Sequence, residues 1–122
     1  MVTKVGKIYL SFKTYQRMAE KTARFTGKTR KRVVVAALGV AGEAGEVADI
    51  IKKVVGHGHK LDLPKLKDEL GDVLWYIAEL SSALGLDLED VAFHNVTKLK
   101  QRYPKGFSSE ASKKNAARRA SS

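Results

Sequence analysis

Apolar residues recur at three- and four-residue intervals along most of the chain, a spacing that predicts an all-α protein. Ser11 is a residue type that caps helices, and we expect a first helix from this point to about Arg24 or Phe25. A basic loop of residues 26–32 follows it. The chain therefore opens with an amphipathic helix that can bury one face against its neighbours.

A long second helix is predicted from Val33 to about Val55, where the Gly-His-Gly-His segment 56–59 ends it. The β-branched residues at its start could also form a short strand. No partner strand is visible in the sequence, and the alanines and glycines between residues 36 and 48 would let neighbouring helices approach closely. A helix is therefore the favoured interpretation of this segment.

Two further helices complete the predicted fold. Pro64 fits the first turn of the third helix, whose apolar pattern continues to a stop at Gly85. Asp87 can cap the fourth, with Asp90 in the capping-box position, and that helix ends before Pro104.

Polar and basic residues dominate from Lys105 onward. Such a segment buries too little apolar surface to offset the entropy lost on ordering it. We therefore predict one domain of residues 1–104 followed by a flexible, basic C-terminal tail of residues 105–122.

Composition limits the chemistry and the setting. The chain has no cysteine, which excludes disulfides, thiolate zinc sites and cysteine nucleophiles, so a metal would bind through oxygen or imidazole. The longest apolar run, residues 33–41, is far below the ~18 residues that cross a bilayer, and the N-terminus lacks a signal-peptide pattern. We expect a cytoplasmic protein.

The net charge of +10 is unevenly distributed along the chain. Residues 1–32 carry +9 and residues 98–122 carry +7, whereas residues 33–97 carry −6. An acidic centre between basic ends is expected if carboxylates gather cations while lysines and arginines meet an anion.

Four acidic residues form two pairs with helical spacing. Glu43 and Glu46 would share a face of the second helix, and Glu69 and Asp72 a face of the third. A single Glu-x-x-Glu on a helix is usually a solvated surface feature. Here both pairs lie in otherwise apolar segments, where unpartnered carboxylates are costly, so we favour a metal site formed by all four.

Three segments of the sequence, which include these acidic pairs, resemble a known family. The segments ALGVAGEAGEVADIIKK, LKDELGDVLWYIAELSSALGLDLEDVA and NVTKLKQRYPKGFS are similar to those of MazG-like all-α nucleoside triphosphate pyrophosphohydrolases, over about residues 33–108. The resemblance implies a four-helix bundle assembled as a homodimer or homotetramer. It also implies two or three Mg²⁺ or Mn²⁺ ions per site and hydrolysis between the α and β phosphates, which yields a nucleoside monophosphate and pyrophosphate.

The resemblance suggests roles for individual residues. We assign proton acceptance from the attacking water to Glu46 and phosphate binding to Lys98 and Arg102, with Lys65 and Asn95 as further phosphate candidates. Solvated helix positions are the alternative interpretation of the four phosphate candidates.

Base recognition is less visible in the sequence. Tyr15, Trp75 and Tyr103 are candidates for stacking on the base, as are Phe12 and Tyr76, although packing in the core is the commoner role of such rings. The motifs do not identify the base, and a (deoxy)purine triphosphate is the working hypothesis.

Three other interpretations of the sequence have less support. Gly27-Lys28-Thr29 lacks the earlier glycine of a P-loop, and His57 and His59 fit a polar connection better than a metal site. A basic helical module that binds nucleic acid would account for the charged ends of the chain, but it leaves the four acids unexplained.

Overall fold

The computed structural model describes residues 9–121, and this part of the chain is all-α, as predicted. Its helices are α1 (Phe12–Glu20), α2 (Arg30–His57), α3 (Leu63–Ala83), α4 (Leu88–Arg102) and α5 (Ser109–Ala120). The chain divides into two compact units, the first ending at Leu88 and the second beginning at Glu89. The first unit contains α1 to α3, with both α1 and α2 packed on α3.

Helix α1 begins where the sequence predicts and ends earlier. The Ser11 Oγ accepts a hydrogen bond from the Thr14 backbone N–H at 3.0 Å, which confirms the N-cap. The predicted end near Arg24 or Phe25 is wrong, because the helix stops at Glu20. The Ala19 carbonyl, which a continuing helix would use, accepts instead from the backbone N–H and the hydroxyl of Thr22.

The ends of α2 and the start of α3 are set by local capping. Thr29 caps α2 through a 3.2 Å bond from the Arg32 N–H, so the helix begins three residues before the predicted Val33. Its start is helical and not a strand. Gly58 ends α2 in the left-handed region, at φ +70°, which a glycine adopts without strain. Asp62 caps α3, with a proline in its first turn as predicted.

Gln16 joins α1 to the segment that follows α3. Its side-chain amide donates to the Ser82 hydroxyl at 3.0 Å and to the Leu86 carbonyl at 2.8 Å. Its carbonyl oxygen accepts from the Leu88 N–H at 2.8 Å, at the first residue of α4. One side chain thus satisfies an N-terminal donor of α4, which starts at the predicted position.

The predicted tail contains a helix. Ser108 caps α5 through a 3.0 Å bond from the Ala111 N–H, an acidic residue lies in the first turn, and Arg118 and Arg119 lie in the last. These features match the helix dipole at both ends, and alanines between them favour the helix. The prediction from the sequence did not include this helix, because the scarcity of apolar residues conceals a helix that depends on its caps. The flexibility of residues 105–122 stays a prediction.

The core of the first unit is small. Ala19, Ala78 and Leu88 are buried, and Tyr15, Trp75 and Ile77 pack against them. Helices α2 and α3 pack closely at Gly39, where an added Cβ would overlap the Tyr76 ring. A glycine is needed here for packing and not for its backbone conformation.

A charged pair is buried between the same two helices. Arg32 of α2 and Glu79 of α3 are 3% and 7% exposed, and the Arg32 Nε donates to the Glu79 Oε1 at 2.8 Å. The guanidinium also donates to the Gly27 carbonyl at 2.7 Å and to the half-exposed Glu20 at 3.3 Å. Each of the three guanidinium nitrogens of this buried cation therefore donates at least one hydrogen bond.

Many large apolar side chains are exposed in this single chain. They include Leu38 (67% exposed), Val55 (83%), Leu63 (62%) and Leu70 (53%) on α2 and α3. Within residues 9–121, no helix combines the length and the apolar character that crossing a membrane requires.

Candidate functional site

Three of the four predicted carboxylates converge between α2 and α3. Glu43 extends from α2, and Glu69 and Asp72 extend from successive positions on one face of α3. One oxygen from each can be chosen so that all three lie within 4.8 Å of one another. Glu43 and Glu69 are half-buried and Asp72 is exposed, so the cluster opens to solvent on one side.

The carboxylates of the cluster repel one another. Desolvation raises the pKa of Glu43, and the negative charges of Asp72, Glu69 and Glu46 raise it further, together with a hydrogen bond to Glu69. The pKa of Tyr15 is also raised, first by burial and then by the charge of Asp72. The field of the carboxylates therefore reaches the ring on α1.

The chemistry of these side chains suits a hard divalent cation. Each offers carboxylate oxygens, which Mg²⁺ and Mn²⁺ prefer over softer ligands. A cation at the point where the three oxygens converge would relieve the repulsion that raises the pKa of Glu43. Glu43, Glu69 and Asp72 thus fit a site for a hard divalent cation.

Glu46 has a different environment from Glu43, although both lie on α2. It is exposed and lies outside the group of three, and it lines a groove of about 320 Å³ between the end of α2 and the start of α3. Lys65 lines the same groove, so the structure brings these two predicted residues together. The roles of Glu46 as metal ligand and as base stay predictions.

Sequence reasoning missed other charged residues of this groove. Asp49 contacts Lys52 at 3.0 Å and Lys53 at 2.6 Å, and these lysines lower its pKa to about 2. His59, interpreted from the sequence as part of a polar connection, and Lys60 also line the groove. The spacing of Asp49 from Glu46, three residues along one helix, is the signal that could have indicated their shared surface.

The aromatic candidates of the first unit have structural partners. Tyr15 and Trp75 pack on the core, and the Trp75 indole donates to the Thr22 hydroxyl at 2.8 Å. Trp75 and Tyr76 meet edge to face, with ring centroids 4.9 Å apart. Both rings also line a pocket of about 450 Å³ together with Phe25, which the sequence reasoning had not selected.

The remaining predicted residues belong to the second unit. Asn95, Lys98 and Arg102 lie on α4, and Lys98 and Arg102 line one groove with residues of α5. The Tyr103 ring contacts the Phe107 ring at a centroid distance of 5.4 Å. Phosphate binding by the α4 residues and base stacking by Tyr103 stay predictions.

Comparisons with known proteins found one family profile and one similar phage protein. The profile of the MazG nucleotide pyrophosphohydrolase domain matches residues 35–107, which include all four acidic residues. The Gene 37 protein of Mycobacterium phage L5 is 38% identical over 73 residues, which is 57% of this chain and 64% of the phage protein. This chain therefore matches less than two thirds of that relative's length. No solved structure matches the chain. With more than half of its length matched by the family profile, the chain belongs to the MazG nucleotide pyrophosphohydrolase domain family.

Proposed function

We propose that this protein is a metal-dependent pyrophosphohydrolase that cleaves nucleoside triphosphates between the α and β phosphates. The observation that carries the proposal is the convergence of Glu43, Glu69 and Asp72 to within 4.8 Å. Membership of the MazG family supports the class of reaction.

The acidic residues have separate roles in this proposal. Glu43, Glu69 and Asp72 hold Mg²⁺ or Mn²⁺, two or three ions per site, with Glu46 as a further ligand. When bound, these ions neutralise phosphate charge and lower the pKa of a nearby water. Glu46 accepts a proton from the water that attacks the α phosphorus, and the bond from that phosphorus to the bridging oxygen breaks, releasing pyrophosphate.

Basic residues would bind the phosphate chain. Lys65 is favourably placed because it shares a groove with Glu46. Lys98 and Arg102 are one turn apart on α4, so they can present two cationic side chains on one face of the helix. Asn95 is the fourth predicted residue of this set.

The pocket lined by Trp75 and Tyr76 supports a site for the base. It also contains Val35 and Ala36, which precede Glu43 by seven or eight residues of α2, or roughly 11 Å along the helix axis. That separation suits a nucleotide whose phosphates lie at the carboxylates and whose base lies in the pocket. Flat aromatic surfaces favour a large base, in keeping with a (deoxy)purine triphosphate. Tyr15 and Tyr103 are the other rings proposed for stacking.

We further propose a homo-oligomer in which the four helices α1 to α4 form a bundle around the carboxylates. The exposed apolar residues of α2 and α3 support this, since a single chain leaves them in water. A dimer or tetramer would cover them. The proposed setting is the cytoplasm, where the nucleotide substrates are present.

Pyrophosphate release tests the proposal. The protein is incubated with each common NTP and dNTP in the presence of Mg²⁺ or Mn²⁺, with Glu69→Gln and Asp68→Asn as matched variants. Asp68 is the exposed neighbour of Glu69 and lies outside the carboxylate cluster, so Asp68→Asn removes the same charge without changing the cluster. We expect release by the wild type and by Asp68→Asn, and loss of release in Glu69→Gln. Absence of pyrophosphate from every nucleotide would reject the proposed activity.

A further inference from the structure

The second unit contains a basic groove that joins α4 to α5. Its volume is about 300 Å³, and its lining residues are four basic side chains and two amides, namely Lys98, Gln101, Arg102, Asn115, Arg118 and Arg119. Helix α5 lies beyond residue 107, where the match to the MazG domain ends. The side of the groove that α5 forms therefore lies outside the matched residues.

Asn115 attaches α5 to the end of α4. Its side-chain amide donates to the Arg102 carbonyl at 3.2 Å and to the Ala111 carbonyl of its own helix at 2.8 Å. The Arg102 carbonyl lies at the C-terminus of α4, where backbone acceptors lack partners within the helix. This contact between half-buried residues fixes one side of the groove against the other.

The charges that meet in the groove have the same sign. Arg102 lies in the last turn of α4, and Arg118 and Arg119 lie in the last turn of α5. Each helix dipole stabilises the cations at its own C-terminus, but the cations of the two helices repel one another. Both α5 arginines also interact with other residues of the structure. A guanidinium has five N–H donors, so such interactions are compatible with binding an anion as well.

We infer that α5 completes a binding site for an oligophosphate, in which Arg118 and Arg119 act with Lys98 and Arg102. Guanidinium groups bind phosphate oxygens through paired, charge-assisted hydrogen bonds. The lining residues provide no aromatic ring for a base, and the volume is at the lower end of the ~300–1,000 Å³ of small-molecule sites. The site therefore suits the phosphate portion of a ligand, and Asn115 is a positioning residue.

The source of the phosphates is taken to be a nucleoside triphosphate, and in this respect the inference rests on the proposed function. The backbone of a nucleic acid offers the same chemistry. A nucleic acid would be bound mainly by the total charge of the surface, with a strong dependence on salt. An oligophosphate would depend on the particular arginines that line the groove.

Calorimetric titration of the full chain with inorganic tripolyphosphate distinguishes these cases. The buffer contains no divalent cation, so that the carboxylate cluster stays negative and repels the probe. The test variant is Arg118→Gln/Arg119→Gln, and the control is Lys113→Gln/Lys114→Gln. The control loses the same charge from exposed positions of α5 that lie outside the lining of the groove. Far-UV circular dichroism verifies that both variants remain helical.

We expect the arginine variant to raise the Kd for tripolyphosphate about tenfold or more, and the lysine variant to change it less than about twofold. Equal weakening in both variants would overturn the inference. So would a short DNA duplex that binds through Arg118 and Arg119 and is not displaced by tripolyphosphate.

Turnover separates this inference from the proposed function. For a nucleotide that the wild type hydrolyses, the arginine variant should raise KM and leave kcat close to that of the wild type. Hydrolysis with KM and tripolyphosphate binding both unchanged would remove the inference alone. If the protein hydrolyses no nucleotide but binds tripolyphosphate in a way that depends on Arg118 and Arg119, the proposed activity is wrong and the oligophosphate site is supported.

Discussion

Helices α2 and α3 hold two charged clusters that differ in how their charge is balanced. In the first, the guanidinium of Arg32 is buried against Glu79 and meets two further acceptors of the chain. In the second, Glu43, Glu69 and Asp72 bring carboxylates of the same sign to within 4.8 Å. The clusters are about 16 Å apart along α2, measured from Arg32 to Glu43.

The difference indicates which cluster serves the fold and which serves a ligand. A buried charge with partners from its own chain leaves little for a ligand to contribute, so the Arg32–Glu79 pair orders the helices. Carboxylates that repel one another gain from a cation that the chain does not itself supply. Breaking the first cluster should therefore cost stability, and breaking the second should cost activity.

The largest expected effect is on stability, in Glu79→Gln. The substitution removes the charge that compensates buried Arg32, and breaking such a pair typically costs about 3–5 kcal/mol. Urea unfolding at a fixed protein concentration measures the change. The control Glu20→Gln alters the half-exposed partner of the same guanidinium and should cost no more than about 1 kcal/mol. Equal losses of stability in the two variants would contradict the claim that the buried partner of Arg32 matters more than the half-exposed one.

The next effect is on turnover, in Asp72→Asn. Loss of a proposed ligand should lower pyrophosphate release at least about 100-fold, because changes even to residues behind metal ligands reduce activity 10- to 100-fold. Without metal the free energy of unfolding should stay unchanged or increase, because one of the repelling charges is gone. A variant that loses stability in parallel with turnover would indicate that Asp72 belongs to the fold.

A smaller effect on stability is expected where Gly39 of α2 packs against Tyr76 of α3. In Gly39→Ala the new methyl group overlaps the Tyr76 ring, which should lower the free energy of unfolding by about 1–2 kcal/mol. Gly42→Ala is the matched control, because its Cβ would meet no atom within 4 Å. It should gain about 0.5–1 kcal/mol from helix propensity. Urea unfolding of the two variants measures both changes, and a gain in Gly39→Ala would show that the helices can separate there without cost.

The smallest effects are those of pH on stability, and they have opposite signs for two half-buried carboxylates, Glu43 and Asp49. The pKa of Glu43 is raised, so the folded state holds the Glu43 proton more tightly than the unfolded state does. Without metal, ionisation of Glu43 should therefore lower the free energy of unfolding as the pH rises from the usual glutamate range through the raised pKa. The pKa of Asp49 is lowered to about 2, so its contribution is present above the usual aspartate range and is lost as the pH falls toward 2. Melting temperatures across pH for Glu43→Gln and Asp49→Asn test this. Glu43→Gln should reduce the pH dependence of the melting temperature above the usual glutamate range, and Asp49→Asn should reduce it below the usual aspartate range. Variants whose melting temperatures follow the same pH dependence as the wild type would contradict the two pKa shifts.

Much of the fold could be predicted because its signals are local. Ser11 as a cap, the proline in the first turn of α3 and the stop after Ala83 each depend on a few neighbouring residues. The early end of α1 depends on the hydroxyl of Thr22, which competes for a carbonyl and which periodicity does not detect. The α5 helix depends on its caps and its dipole, which the low apolar content of residues 105–122 does not reveal.

Within the site, the carboxylates were predictable and their grouping was not. Residues three apart on a helix differ in direction by about 60°, so the contact between α2 and α3 decides that Glu43 joins the cluster and that Glu46 faces the groove. The Arg32–Glu79 pair joins residues 47 positions apart. Arg32 was predicted to lie in a basic loop, because sequence spacing does not show which distant residue will face it.

Mn²⁺ binding tests the central claim most directly. Calorimetric titration of the metal-free wild type is compared with Glu69→Gln and with the Asp68→Asn control. If the carboxylate cluster holds the cation, the wild type and Asp68→Asn bind Mn²⁺ with similar affinity, and Glu69→Gln binds it at least about tenfold more weakly. Equal affinity in Glu69→Gln and the wild type would contradict the account.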